Sequence, residues 1–135
     1  MIIVSACLRG IRCRYDGQRR EIPAGIKELL EKGECLIPVC PEQLGGLPTP
    51  RSKNHLSWGD GAPAVINEEG ADVTAEFLRG AGEALRVAKL YKAKRAIFKS
   101  GSPSCGEEGV TTRLLRDNEI EVDVIDALHC SRGNT

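Results

Sequence analysis

Ile2-Ile3-Val4-Ser5-Ala6-Cys7 reads as a short buried strand that ends in a thiol: an apolar, β-branched run closed by small residues, with the turn-prone Leu8-Arg9-Gly10 behind it. The same pattern returns at Leu36-Ile37-Pro38-Val39 before Cys40, and at Ala96-Ile97-Phe98-Lys99-Ser100, with Cys105 a short turn further on. If the three runs lie parallel in one sheet, their carboxyl ends share an edge. In open α/β sheets that edge is where ligands bind, so three distant stretches of chain can deliver a thiol to one place.

The segments between these runs suit such a sheet. Ile22, Ile26, Leu29 and Leu30 recur at helical spacing, with Pro23 in a first turn and Gly33 as a C-terminal cap. A longer helix runs from Thr74, read as its N-cap, to about Tyr91, with Phe77, Leu78, Ala81, Leu85 and Ala88 along one face. Gly80 and Gly82 weaken that helix and read as sites of close packing rather than as a phosphate loop. Residues 110–115 suggest a short helix and residues 120–125 a final strand, while Ala64-Val65-Ile66 reads as a short edge strand. Residues 40–60, rich in proline, glycine and polar side chains, read as one long loop, a length usually kept for function. The fold class is therefore α/β: a single domain over residues 1–135, with a mainly parallel sheet and flanking helices in Rossmann-like layers.

Composition narrows the function. Nineteen basic and nineteen acidic residues cancel, which removes any general attraction to a nucleic acid polymer, and one Trp, two Tyr and two Phe offer little for base stacking. The arginines at positions 9, 12, 14, 19 and 20 form a local exception, read as a solvated surface. No long apolar segment or signal core is present, so a cytoplasmic protein with no membrane partner is expected. Six cysteines in a reducing compartment point to metal binding or catalysis rather than disulfides.

Three thiolates can hold a metal group or run metal-free redox chemistry. No C-x2-C pair is present, which argues against structural zinc. A four-iron cluster on three ligands would keep one iron open as a Lewis acid. Cys7 and Cys13 share one loop and either could reach the site; Cys35, at a strand start, reads as a small buried hydrophobe, and Cys130 lies in a polar tail. Ser102-Pro103-Ser104-Cys105-Gly106 is a compact turn with two hydroxyls beside a thiol, and Glu42 stands two residues from Cys40, near enough to move protons. His55 and His129 are isolated and read as structural or exposed.

At Val4-Ser5-Ala6-Cys7-Leu8-Arg9-Gly10 with Arg14-Tyr15-Asp16-Gly17, and at Val39-Cys40-Pro41-Glu42 with Leu44-Gly45-Gly46-Leu47-Pro48 and Pro50-Arg51, the chain resembles the thiouracil desulfurase family. Asp72-Val73-Thr74, Phe77, Gly80-Ala81 and Ser102-Pro103-Ser104-Cys105-Gly106 continue the likeness over nearly the whole chain. The resemblance implies a 4Fe-4S cluster on Cys7, Cys40 and Cys105, with Glu42 and Ser102 as catalytic residues and Ser104, Asp16 and Arg51 as substrate contacts. It implies an enzyme that takes a small-molecule thiocarbonyl, a thiolated nucleobase or a relative, and releases its sulfur as hydrosulfide without net redox change. Two departures stand out: Ser52-Lys53-Asn54-His55 follows Arg51 where the family commonly runs on to a glutamate, and Glu107-Glu108 replaces a tyrosine-aspartate-glycine segment after Cys105. The substrate wall is expected to differ there. The rival readings are a non-catalytic iron-sulfur or sulfur-carrier protein and a metal-free thiol protein using Cys7 and Cys13.

Overall fold

The computed structural model describes residues 1–126. Strand β1 (Ile2–Ser5) leads through a 3-10 turn (Ala6–Arg9) and a loop to helix α1 (Ala24–Glu31), then to β2 (Leu36–Val39) and the short helix α2 (Pro41–Leu44). A hairpin of β3 (Asn54–Gly59) and β4 (Ala62–Asn67) precedes the long helix α3 (Thr74–Leu90), which is followed by β5 (Arg95–Lys99), α4 (Val110–Asp117) and β6 (Glu121–Ile125).

The main sheet is parallel throughout, in the order β2-β1-β5-β6, with Ile3 opposite Ile37 on one side and Ala96 on the other. Its two faces follow from the strand period. Ile2, Val4 and Ile97 point to α1, where Ile26 is buried and Leu29 and Leu30 pack beside it. Ile3, Ala96, Phe98 and Val122 point the other way, against Ala84 and Ala88 of α3 and Leu115 of α4. Burying Phe98 completely stabilises the fold by about 2–3 kcal/mol before entropy is counted. The layered α/β expectation for the sheet and its helices is met.

The far side of α3 packs on the hairpin through Phe77, Ala81, Val65, Leu56 and Trp58. Here the sequence reading needs correction. Residues 40–60 are not one loop, since they contain α2 and β3, and Ala64-Val65-Ile66 belongs to a separate antiparallel pair rather than to an edge of the main sheet. The signal was present: Leu56 and Trp58 turn inward between exposed His55 and Ser57, and Asp60-Gly61, both at positive φ, make the two-residue turn that hairpins favour. Thr74 is not the N-cap of α3 either. Its hydroxyl takes the Val65 N–H at 2.9 Å, and the Asp72 carboxylate accepts the Thr74 N–H at 2.9 Å.

Helices α2 and α3 meet backbone to backbone. A Cβ on Gly80 would collide with the Pro41 carbonyl, and one on Gly45 with the Glu76 carbonyl, so only glycine allows this approach. Gly82 faces open space, so the packing role expected of both α3 glycines belongs to Gly80. The contact presses the start of α2, and with it Glu42, toward the sheet edge.

Candidate functional site

Three neighbouring strands end at one edge. Cys7 lies in the 3-10 turn after β1, Cys40 directly follows β2, and Cys105 closes the turn after β5. All three line a single cavity of about 390 Å³, together with Cys13, Glu42, Arg51, Ser102 and Ser104. Ser5 ties the edge together: its hydroxyl accepts the Lys99 N–H at 3.0 Å and also hydrogen-bonds the Cys105 thiol.

Cys13 is buried and its thiol hydrogen-bonds the sulfurs of Cys7 and Cys40. That contact lowers the pKa of both partners, Cys40 to about 7, and raises that of Cys13. Burial pushes Cys105 up to about 12, against the pull of hydrogen bonds from Ser5 and Ser104. Cys40 is thus inclined to ionise near neutral pH and Cys7 is shifted the same way, whereas burial holds the proton on Cys105. Among the described residues every cysteine is free, and no trio of Cys, His, Asp or Glu is spaced to hold a single metal ion.

Glu42 is the most constrained polar side chain in the cavity. Arg51 Nε donates to its Oε1 at 2.8 Å, and the hydroxyls of Ser102 and Ser104 reach its Oε2 at 3.2 and 3.1 Å. The Ser102 oxygen accepts the backbone N–H groups of Ser104 and Cys105, both at 3.1 Å, which aims its proton at Glu42 or at Ser104. Ser104, only 2% exposed, lies 3.7 Å from the Cys105 sulfur and 3.1 Å from Glu42, so its hydroxyl joins thiol to carboxylate.

The remaining expected substrate contacts are placed differently. Asp16 is not part of the cavity wall; it pairs with Arg14 at 3.1 Å and accepts the Gln18 N–H at 2.9 Å, and Arg14 is the one that lines the cavity. Arg51 does line it, but its guanidinium is engaged by protein acceptors. Cys35 is exposed, not buried as expected, because its position just before β2 leaves only its backbone carbonyl tied down, accepting Ile2 N–H at 2.9 Å. His55 is exposed, as read from the sequence, while His129 and Cys130 lie outside the described residues.

Sequence reasoning missed Ser5, Tyr15 and Lys99, all of which line the cavity. Ser5 could have been noticed as a hydroxyl closing an apolar strand, as Ser100 closes the run before Cys105. The departures from the family pattern fall on the wall as expected for the first and beside it for the second. Lys53 and Asn54 line the cavity, whereas Glu107 and Glu108 do not: Glu107 pairs with Arg116, and the Glu108 carbonyl accepts the Trp58 indole N–H at 2.8 Å.

Soft sulfur donors from three segments, around a space larger than a single ion needs, fit an iron-sulfur cluster. Such thiols beside a hydrogen-bonded carboxylate, at the carboxyl edge of a parallel α/β sheet, suit a cluster-binding enzyme. The family is narrower. The model for 2-thiouracil desulfurase matches residues 2–127, and the chain belongs to that family. A solved structure described as a [4Fe-4S]-dependent thiouracil desulfidase, TudS, shares 40% sequence identity and a TM-score of 0.81, covering 95% of this chain and 92% of its own. The uncharacterized protein YbbK of Bacillus subtilis (strain 168) is 38% identical over 112 residues, which are 78% of this chain and 73% of that protein. No helix among the described residues is long and apolar enough to cross a membrane.

Proposed function

We propose that this chain is an iron-sulfur-dependent desulfurase that converts the thiocarbonyl of a thiolated uracil, or a related small molecule, to a carbonyl with water and releases hydrosulfide. Family membership and the likeness to a [4Fe-4S]-dependent thiouracil desulfidase support the reaction and the cofactor. The observation that carries the residue roles is the convergence of Cys7, Cys40 and Cys105 with Glu42 and Ser102 on one cavity. Cys7, Cys40 and Cys105 would hold the cluster, and Cys13, hydrogen-bonded to two of them, stays outside the ligand set. Held by three thiolates, the cluster supplies an open, Lewis-acidic iron for the sulfur of the substrate.

The protein supplies water handling and protons, because the exchange of sulfur for oxygen consumes no electrons. Glu42, with Oε1 held by Arg51, offers Oε2 to a proton taken from the attacking water, and the Ser102 hydroxyl, 3.2 Å away, donates to that same oxygen. The same carboxyl returns that proton to the sulfur, which departs as hydrosulfide, and the second proton of the water passes to solvent as the carbonyl forms. The two backbone N–H groups that donate to the Ser102 oxygen fill its acceptor sites and leave its proton aimed at the carboxylate, so Ser102 orients Glu42 for that work. The proposed setting is the reducing cytoplasm, where these free thiols persist.

The test is anaerobic reconstitution, with iron and acid-labile sulfide measured first, followed by incubation with 2-thiouracil and 4-thiouracil while hydrosulfide and uracil are quantified. Stoichiometric release of both is expected. Cluster-loaded protein that turns over neither compound would favour a carrier, and absence of bound iron would favour a metal-free thiol protein.

A further inference from the structure

Arg51 has one cation and three segments of chain around it. Nε donates to Glu42 Oε1 at 2.8 Å, Nη1 to the Pro48 carbonyl at 3.1 Å and to Thr49 Oγ1 at 3.0 Å, and Nη2 to the Cys13 carbonyl at 3.0 Å. Of the five N–H groups of a guanidinium, these contacts occupy four, in the planar fork that only arginine provides. The side chain is 7% exposed. A backbone bond adds to this grip, the Arg51 N–H donating to the Tyr15 carbonyl at 2.7 Å.

The Cys13 carbonyl is the informative acceptor. The Cys40 thiol also points at it, at 3.6 Å, so this oxygen joins the 13–15 loop to the end of β2. Arg51 is already on the same oxygen. It therefore holds the 13–15 loop in place, and with the same group it fixes the carboxylate two residues past Cys40.

We propose that Arg51 is a positioning residue, not a substrate contact: it sets the spacing between the Cys13 loop and Glu42 and thereby the reach of Glu42 to the reacting carbon. This inference rests on the proton-handling role assigned to Glu42 above. It differs from substrate binding in what it predicts for kinetics. A contact made equally in the bound and reacting states raises KM and spares kcat, whereas a displaced proton-handling group lowers kcat and spares KM.

The experiment uses Arg51→Gln and Arg51→Lys, each measured twice. In cluster-loaded protein with 4-thiouracil, Arg51→Gln should lower kcat about 100-fold, the loss expected for a catalytic group displaced by roughly 1 Å, with KM within about twofold of the parent. Arg51→Lys keeps the charge but cannot reach Glu42 and the Cys13 carbonyl together, so kcat should fall in the same direction by less. In the cluster-free chain, hydrogen exchange of the amides of residues 13–17 should quicken in Arg51→Gln while those of β1 and α3 keep their protection. A rise in KM with kcat unchanged, or unaltered exchange in residues 13–17, would overturn the proposal, as would loss of folding in both variants, which would make Arg51 a purely structural residue. Failure of the parent to turn over any thiouracil would instead count against the proposed reaction, and the exchange measurement then decides the Arg51 question alone.

Discussion

Replacing Glu42 by glutamine separates the two things its carboxylate does. The substitution keeps size and shape but removes the charge and turns one oxygen into an NH2 group. Only one orientation is tolerable. With its oxygen toward Arg51 Nε the amide keeps that hydrogen bond, whereas the flipped amide would set NH2 against the guanidinium N–H at a distance of 2.8 Å. The NH2 therefore faces Ser104, whose hydroxyl rotates to accept and frees its proton for the Cys105 sulfur 3.7 Å away, while Ser102, its acceptor sites filled by two backbone N–H groups, turns its proton to the Ser104 oxygen 3.0 Å away.

The cost in stability comes from the buried pair. Both side chains are under a tenth exposed, so solvent screens little of their attraction. Deleting one partner of such a pair outright costs about 3–5 kcal/mol. Glutamine retains one hydrogen bond, and Arg51 keeps its carbonyl acceptors, so the loss should sit near the value of a charge-assisted hydrogen bond, about 2–3 kcal/mol. For a domain of this size that is a drop of roughly 10 °C in Tm, within the stability of an ordinary domain, so the variant folds. Urea unfolding of the cluster-free chain measures the loss, iron and sulfide analysis measures loading, and hydrosulfide release measures turnover. The expected result is a lower unfolding midpoint, parental iron content, and turnover reduced by about 10²–10⁴, the usual worth of general acid-base catalysis. Full turnover in a loaded Glu42→Gln protein would remove Glu42 from the mechanism, and an unchanged midpoint would refute the reasoning about the buried pair.

Two further substitutions test the site and its support. Cys40→Ser removes one of three proposed ligands and should abolish stable cluster incorporation, while Cys130→Ser should not; equal iron and sulfide retention after anaerobic reconstitution would reject that division. Gly80→Ala drives a methyl group into the Pro41 carbonyl and should cost at least about 3 kcal/mol and lower turnover as α2 shifts, whereas Gly82→Ala, facing open space in the same helix, should stabilise by about 0.5–1 kcal/mol. Identical thermal melts for the two alanine variants would show that α2 and α3 do not need their close approach.

The layered sheet was legible because each strand of its interior is apolar on both faces. Ile2, Ile3 and Val4 bury in opposite directions against α1 and against α3 and α4, so the run carries no alternation to mistake for a hairpin. The hairpin was missed for the opposite reason. Its half-buried alternation is confined to Leu56 and Trp58, set among turn residues, and it acquires a partner only through Asp60-Gly61 and the face of α3. Cys7, Cys40, Cys105, Glu42, Ser102 and Ser104 come together because each stands within a few residues of a strand end, where topology alone fixes position. The roles of Cys13 and Arg51 could not be read that way. Arg51 depends on a carbonyl, that of Cys13, which has no signature in the sequence and lies 3.0 Å from a guanidinium placed 38 residues later, and Cys13 acts through a thiol that stands away from any strand end.

The strand order also bears on why a cluster, rather than one ion, suits this edge. Neighbouring strands lie about 4.8 Å apart, so the ends of β2, β1 and β5 span roughly 10 Å, with Cys7 in the middle. A tetrahedral ion with metal-sulfur bonds of about 2.3 Å needs its thiolates gathered within about 4 Å of one another, which three consecutive strand ends do not provide unaided. A four-iron cluster places the three thiolates on different irons, so they approach it from separate directions. Cys13 is buried beside these thiols, hydrogen-bonded to Cys7 and Cys40, and its carbonyl accepts from the Cys40 thiol at 3.6 Å. Strand β6 extends the sheet beyond β5 and contributes no cysteine among the described residues, which leaves the thiols on one side of the edge and the Ser102–Cys105 turn as its boundary. Glu42 reaches that turn, its Oε2 accepting the Ser102 and Ser104 hydroxyls at 3.2 and 3.1 Å, so the carboxylate and the thiols share one cavity.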